Sequence, residues 1–145
     1  MTGTKRVTVC DTNRDSYKHW VSVNLRYGDT DRQGHINNAV FCTLLESGRV
    51  GFLFDHDQSV AGPDTNWVIA KLTLDYLAEL NFPGTVEVGS KIVSMGKSSI
   101  VVGQALFLNE QCCCTAESII VLTSETTKRS TPLPESARQR FAEIS

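Results

Sequence analysis

From Trp67 to Glu125 the chain passes through four strand-like segments, separated by stretches too short to hold a helix. WVIAKLTLDYLAEL (Trp67–Leu80) leads to the turn Phe82-Pro83-Gly84, TVEVGSKIVSM (Thr85–Met95) to Gly96-Lys97, and SSIVVGQALFL (Ser98–Leu108) to Asn109–Gln111. TAESIIVLTSE (Thr115–Glu125) closes the series, and in the second segment Val86, Val88 and Ile92 share one face. Strands joined so briefly are predicted to be antiparallel neighbours, because a parallel return needs a crossover of a dozen or more residues. A sheet of this kind needs a cover for its apolar face. Upstream, Phe41, Leu44, Leu45, Gly48 and Phe52 recur at helical spacing. They predict an amphipathic helix from about Ala39 to Phe54, with Asn37 or Asn38 as N-cap. A strand is predicted before it at Trp20–Tyr27 and a loop of breakers after it at Ser59–Thr65. A short terminal helix opened by Pro134 is expected within Thr131–Ile144, with Phe141 and Ile144 able to dock. One long helix beside one antiparallel sheet is an α+β arrangement.

At 145 residues and 41% hydrophobic content, the chain can build one core. Residues 17–145 are expected to form a single domain, and the polar residues 1–16 an N-terminal arm or a strand edge. A net charge of −2 argues against a general nucleic-acid binder. No apolar run approaches the roughly 20 residues of a membrane span, and the N-terminus has no apolar signal region. The five cysteines, Cys10, Cys42 and the run Cys112-Cys113-Cys114, lack the spacing of a disulfide framework or a zinc site. Neighbouring cysteines in a regular strand point to opposite faces. Reduced thiols in a cytoplasmic protein without a metal are the expectation.

Between the first strand and the long helix lies YGDTDRQGHINNAV (Tyr27–Val40), which concentrates two aspartates, two glycines, a histidine and two asparagines. By residue type alone, Asp31 suits a turn or cap as well as it suits chemistry. Asp29-Thr30-Asp31 is not an aspartate-phosphatase motif. Arg26-Tyr27-Gly28 stands where an apolar strand should lead in, Gln33 occupies the later Thr or Val place, and no parallel βαβ pattern follows.

The pattern of an aspartate, two residues, then Gly34-His35-Ile36-Asn37-Asn38 resembles that of hotdog-fold thioesterases of the 4-hydroxybenzoyl-CoA thioesterase group, with Ile36 where Val is usual. LDYLAEL (Leu74–Leu80), Gly-Lys-Ser-Ser at Gly96–Ser99 and STPLPE (Ser130–Glu135) follow in the order expected of that group, so the resemblance runs from about Tyr17 onward. It implies a hotdog fold, an antiparallel sheet wrapped around one long central helix, and hydrolysis of an acyl-CoA thioester. Asp31 matches the catalytic carboxylate, which attacks the carbonyl carbon or deprotonates a water. Asn38 matches the residue whose backbone N–H, at the positive end of the helix, polarises the thioester oxygen. His35 and Asn37 would line or shape the site, and Gly34 would allow a tight turn beside the substrate. Glu46 on the helix is a lesser candidate for a second carboxylate. Lys97, Ser98, Ser99, Lys128 and Arg129 would contact the phosphates or pantetheine of coenzyme A, which is part of the substrate and not a held cofactor. The resemblance also implies a homodimer or a dimer of dimers with the active site between subunits, as open strand edges suggest independently. The alternatives are a hotdog hydratase or dehydratase, for which Asp31 and His35 give a loose pair, and a non-catalytic acyl-CoA-binding module, which has no use for Asp31. The acyl group is not legible.

Overall fold

The computed structural model describes residues 12–145. The expectation of an arm or strand edge over residues 1–16 falls largely outside these residues, as does Cys10; Arg14–Ser16 form one 3-10 turn capped by the Asn13 side chain. The elements are β1 (His19–Asn24), α1 (Asn38–Leu53), β2 (Phe54–Asp55), β3 (Gln58–Ser59), β4 (Thr65–Tyr76), β5 (Thr85–Met95), β6 (Ser99–Leu108), β7 (Gln111–Ser124) and α2 (Glu135–Ala142). One antiparallel sheet runs in the order β1-β5-β6-β7-β4, and β2 and β3 pair as a small separate hairpin.

The long helix begins at Asn38, where the side chain of Asn37 accepts the Ala39 N–H at 2.9 Å. Its apolar stripe, Phe41, Leu44, Leu45, Gly48 and Phe52, is buried against β1, β5 and β6. Gly48 allows the close approach, since a Cβ there would collide with Val88 Cγ1 and lie 2.9 Å from Gln104 Nε2. One half of the core joins Phe41, Leu44 and Leu45 to Val86, Val88, Leu106 and Ala116; the other joins Phe52 and Leu53 to Ile100, Ile120, Leu122 and Phe141. Between them sits a buried polar group. Gln104 Nε2 donates to the Leu45 carbonyl (2.9 Å) and to Ser90 Oγ (3.0 Å), and its Oε1 accepts from Arg49 Nη1 (3.3 Å).

Three expectations are corrected. The predicted strand Trp67–Leu80 ends at Tyr76, because the N–H groups of Leu77 and Ala78 both turn to the Cys113 carbonyl. Residues 77–84 are therefore a connection across the end of the sheet. β4 and β5 are not neighbours: β4 pairs with β7 and forms an edge. The cysteine run does not alternate. A bulge between β6 and β7 pairs Leu106 with Cys114 and Phe107 with Cys112, so Cys113 is the extra residue, and both Cys113 and Cys114 are buried. The terminal helix is opened by Pro134 as expected, after an extended course in which Thr131 and Leu133 donate backbone hydrogen bonds to Leu122 and Lys97.

Candidate active site

The segment Tyr27–Val40 folds on itself before it meets α1. Tyr27–Asp29 make a 3-10 turn whose anchor is Asp29. Its buried carboxylate accepts from the Arg26 backbone N–H (2.9 Å) and from Arg26 Nη2 (2.8 Å). These hydrogen bonds to Arg26 hold the Asp29 carboxyl below its ordinary pKa. The Asp29 carbonyl then accepts the Asn37 N–H at 2.9 Å, fixing the residue that caps α1.

Asp31 closes a second small loop. Its N–H donates to the His35 carbonyl (2.7 Å), its own carbonyl accepts from Gly34, and Gly34 takes φ +86°, a conformation that glycine adopts without penalty. Asp31 Oδ1 accepts the N–H groups of Gln33 (2.8 Å) and His35 (3.2 Å). Oδ2 has no protein partner among the described residues, and the side chain is exposed. The carboxylate is thus held by one oxygen and left free at the other.

The connection 77–84 supplies the opposite wall. Ile36 N–H donates to the Leu80 carbonyl (2.9 Å), His35 bridges to Asn81, and His35 Nε2 lies 3.3 Å from Glu79 Oε2. The cleft so formed, ≈ 370 Å³, is lined by Asp31, His35, Asn38, Phe41, Tyr76 and Glu79, among others. The start of α1 is part of this lining. The Ala39 N–H is occupied by Asn37, whereas the Asn38 N–H has no acceptor within the helix and none elsewhere among the described residues. Asp31, with one carboxylate oxygen free, and Asn38, with its helix-terminal N–H unpaired, therefore both line one hollow. This is the pairing that attack on a carbonyl requires: one group to attack or to take a proton, and one to receive the negative oxygen. A larger hollow, ≈ 630 Å³, lies between the loop 55–62 and α2 and contains none of these groups.

Asp31, His35 and Asn38 are thus brought together, and Gly34 and Asn37 shape the turn and the cap. Lys97, Ser98, Ser99, Lys128 and Arg129 are not brought to them. They lie at the β5–β6 hairpin and just beyond β7, at the other end of the sheet. From Cys114, which faces Tyr76, to Val121, which faces Ser99, the strand advances roughly 23 Å at ~3.3 Å per residue. Glu46 is exposed and is not among the residues lining the cleft. Sequence patterns missed Tyr76 and Glu79 as cleft residues. LDYLAEL is visible as a matching segment, but it reads as plain strand, and only the break at Leu77 turns these side chains toward the motif. Among the described residues no cluster of three or more His, Cys, Asp or Glu side chains is disposed to hold a metal ion.

Residues 25–141 match the thioesterase-like superfamily. Over 128 residues the chain is 27% identical to the acyl-CoA thioester hydrolase YbgC of Escherichia coli O6:H1, a match covering 82% of this chain and 92% of that protein. It is similar in structure to a thioesterase from Thermus thermophilus complexed with coenzyme A and Zn, with a TM-score of 0.76, 28% identity, and coverage of 88% and 93% of the two chains. PA5185 from Pseudomonas aeruginosa superposes with a TM-score of 0.81 at 24% identity, over 91% and 94% of the chains, and shows the same fold. The sheet wrapped on a long helix is the hotdog fold.

Proposed function

The chain belongs to the thioesterase-like superfamily and is a thioester hydrolase, and from that premise we propose that it cleaves an acyl-CoA to the free acid and coenzyme A with Asp31 as the reacting carboxylate. The observation that carries this is the free Asp31 Oδ2 in the same cleft as the unpaired Asn38 N–H. In the direct route Oδ2 attacks the thioester carbon, the C–S bond breaks, and the mixed anhydride is hydrolysed by water. In the base-assisted route Oδ2 takes a proton from a water that attacks instead. Both routes place negative charge on the carbonyl oxygen, where the Asn38 N–H and the positive end of α1 stabilise it, and both release a free thiol. His35, held by Glu79, positions the substrate rather than moving the proton. Coenzyme A enters as part of the substrate, as the names of the Escherichia and Thermus relatives suggest, and neither route calls on a metal.

The active unit in this proposal is a homodimer, alone or doubled into a tetramer. β4 is a twelve-residue edge strand with Val68 (47%) and Ile69 (45%) exposed, and an apolar edge of this length invites pairing. Antiparallel pairing of β4 with its copy about a two-fold axis sets the Thr65 end of one strand beside the Tyr76 end of the other. Lys97, Ser98, Ser99, Lys128 and Arg129 of the partner subunit then approach the cleft that they cannot reach within their own chain. Residues 17–145 act as one catalytic domain, in the cytoplasm. Among the described residues no helix is long and apolar enough to cross a membrane, and Cys42, Cys112, Cys113 and Cys114 are free thiols.

A panel of acyl-CoA substrates assayed by release of free thiol tests the activity. Hydrolysis gives thiol, hydration gives none, and a binding module saturates without turnover. Light scattering tests the dimer, and a monomer at micromolar concentration would remove the shared site.

A further inference from the structure

Tyr76 is the last residue of β4, and its hydroxyl donates to the carbonyl of Asn38 at 3.0 Å. The bond joins residues 38 positions apart and ties the end of the edge strand to the first residue of the long helix. The Tyr76 ring stands edge-on to Phe41, with centroids 5.0 Å apart and planes at 67°, and both rings line the cleft that contains Asp31. A helix carbonyl has two lone pairs, and the intrahelical bond uses one. Tyr76 takes the other without competing with the helix. The first turn of a helix is where its residues are least constrained, yet an oxyanion donor is effective only if it is already in place when charge develops.

Resting on the thioesterase reading above, we propose that Tyr76 is a positioning residue for the hydrolysis, holding Asn38 so that its N–H stays aimed at the thioester oxygen. Asn37 caps the helix from the N-terminal side through Ala39, and Asp29 fixes the Asn37 N–H. Tyr76 is the one tie among these that reaches Asn38 itself. It comes from the strand whose outer edge is proposed to meet the second subunit, so pairing would shield this half-exposed hydrogen bond from exchange with water.

Tyr76→Phe removes the hydroxyl and keeps the ring on Phe41. In the full chain it should lower kcat by up to about tenfold, the upper end of what one hydrogen bond contributes, and leave KM and the affinity for a non-hydrolysable thioether analogue of the acyl-CoA unchanged. A merely structural tie would leave kcat at its wild-type value in the folded variant. Nuclear magnetic resonance should show the chemical shift of the Asn38 amide moved in the variant, while amides in β5 and β6 keep their protection. Full kcat in folded Tyr76→Phe overturns the proposal, as does an unmoved Asn38 amide. A loss confined to KM also overturns it, because Tyr76 would then be a substrate contact. Asp31→Asn separates the two levels. If it abolishes turnover while Tyr76→Phe is fully active, only the role of Tyr76 fails. If it retains turnover, the mechanism itself fails, and the Asn38 amide still decides whether Tyr76 holds it.

Discussion

At the Gly96–Ser99 end of the sheet the turn carbonyls are spoken for: Gly96 O accepts from Arg138 Nη2 (2.7 Å), Lys97 O from the Leu133 N–H (2.9 Å) and Ser98 O from the Leu122 N–H (2.8 Å). α2 seals that end, with Ala137 and Phe141 buried and Phe141 edge-on to Trp67 at 5.6 Å. At the Tyr76 end Asp31 Oδ2 and the Asn38 N–H have no partner among the described residues, and Asp31 and Asn38 line a cleft. Both ends carry glycine and polar turn residues, and composition alone does not rank them. The difference lies in which polar groups are left over. One end spends its turn carbonyls on closure, with Trp67 Nε1 buried there and unpartnered away from any carboxylate of the motif; the other keeps an acceptor and a donor on residues that line one cleft, and such a pair of leftovers is where chemistry is to be sought.

That contrast can be broken by substitution. Asp31→Asn should reduce kcat by about 10²–10⁴, the range for losing a general base, and further if Asp31 is the nucleophile. Melting temperature and binding of a thioether analogue should be nearly unchanged, and His35→Ala should fall between this variant and wild type. A folded Asp31→Asn enzyme within about threefold of wild type, far less than a lost base costs, would reduce the open end to an ordinary turn.

Phe141→Ala is the counterpart at the closed end. Emptying that site should cost about 3–5 kcal/mol in urea denaturation while kcat per folded molecule holds. A direct loss of kcat would show that the two ends are not independent within the dimer. Lys97→Ala sharpens the same point. KM for acyl-CoA should rise several-fold, most at low salt, with kcat kept and a truncated thioester lacking the nucleotide unaffected. Equal losses on both substrates would remove Lys97 from the nucleotide site. The smallest effect concerns Asp29. Its folded-state pKa is depressed by Arg26, so its contribution to stability is present above the ordinary carboxylate pKa and is lost as pH falls through the depressed value. Asp29→Asn should lower the melting temperature at neutral pH and show less of the acid-side decline that wild type shows. Parallel curves would mean that the ion pair contributes nothing.

Sequence pattern carries the elements better than it carries their arrangement. The helical spacing of Phe41, Leu44, Leu45, Gly48 and Phe52 locates α1 to within a residue, and Asn37 is its cap, because both depend on local geometry. The motif brings Asp31, His35 and Asn38 together because they lie on one short loop. The strand order is another matter. Nothing in residues 77–84 distinguishes a tight turn from a crossing of the sheet end, and that crossing decides that β4 is an edge and that Tyr76 meets Asn38. The Cys113 bulge was hidden for the same reason. It satisfies Leu77 and Ala78, which are distant in sequence and have no signature of their own. Lys97, Lys128 and Arg129 were legible as cations at strand ends, but which end of the sheet they occupy is a property of topology.

Gln104 sits with all three of its contacts satisfied at the centre of the helix–sheet interface. Hydrocarbon packing alone discriminates weakly between a helix seated correctly and one slid or turned by a fraction of its pitch, since leucine and valine surfaces interlock in several ways. A hydrogen bond from Nε2 to the Leu45 carbonyl accepts only one of those seatings, and Arg49, reaching Oε1 from the next turn, fixes the rotation as well. The group acts as a key in a lock barrel: its value is exclusion of wrong alignments rather than depth of the energy well. An apolar pair at 49 and 104 would then leave global stability roughly unaltered while loosening the axial seat of α1. Because the Asn38 N–H is carried on the end of that helix, slack at its midpoint would reach the cleft as a misplaced donor. The accuracy of the site is thus set in part from the middle of the core.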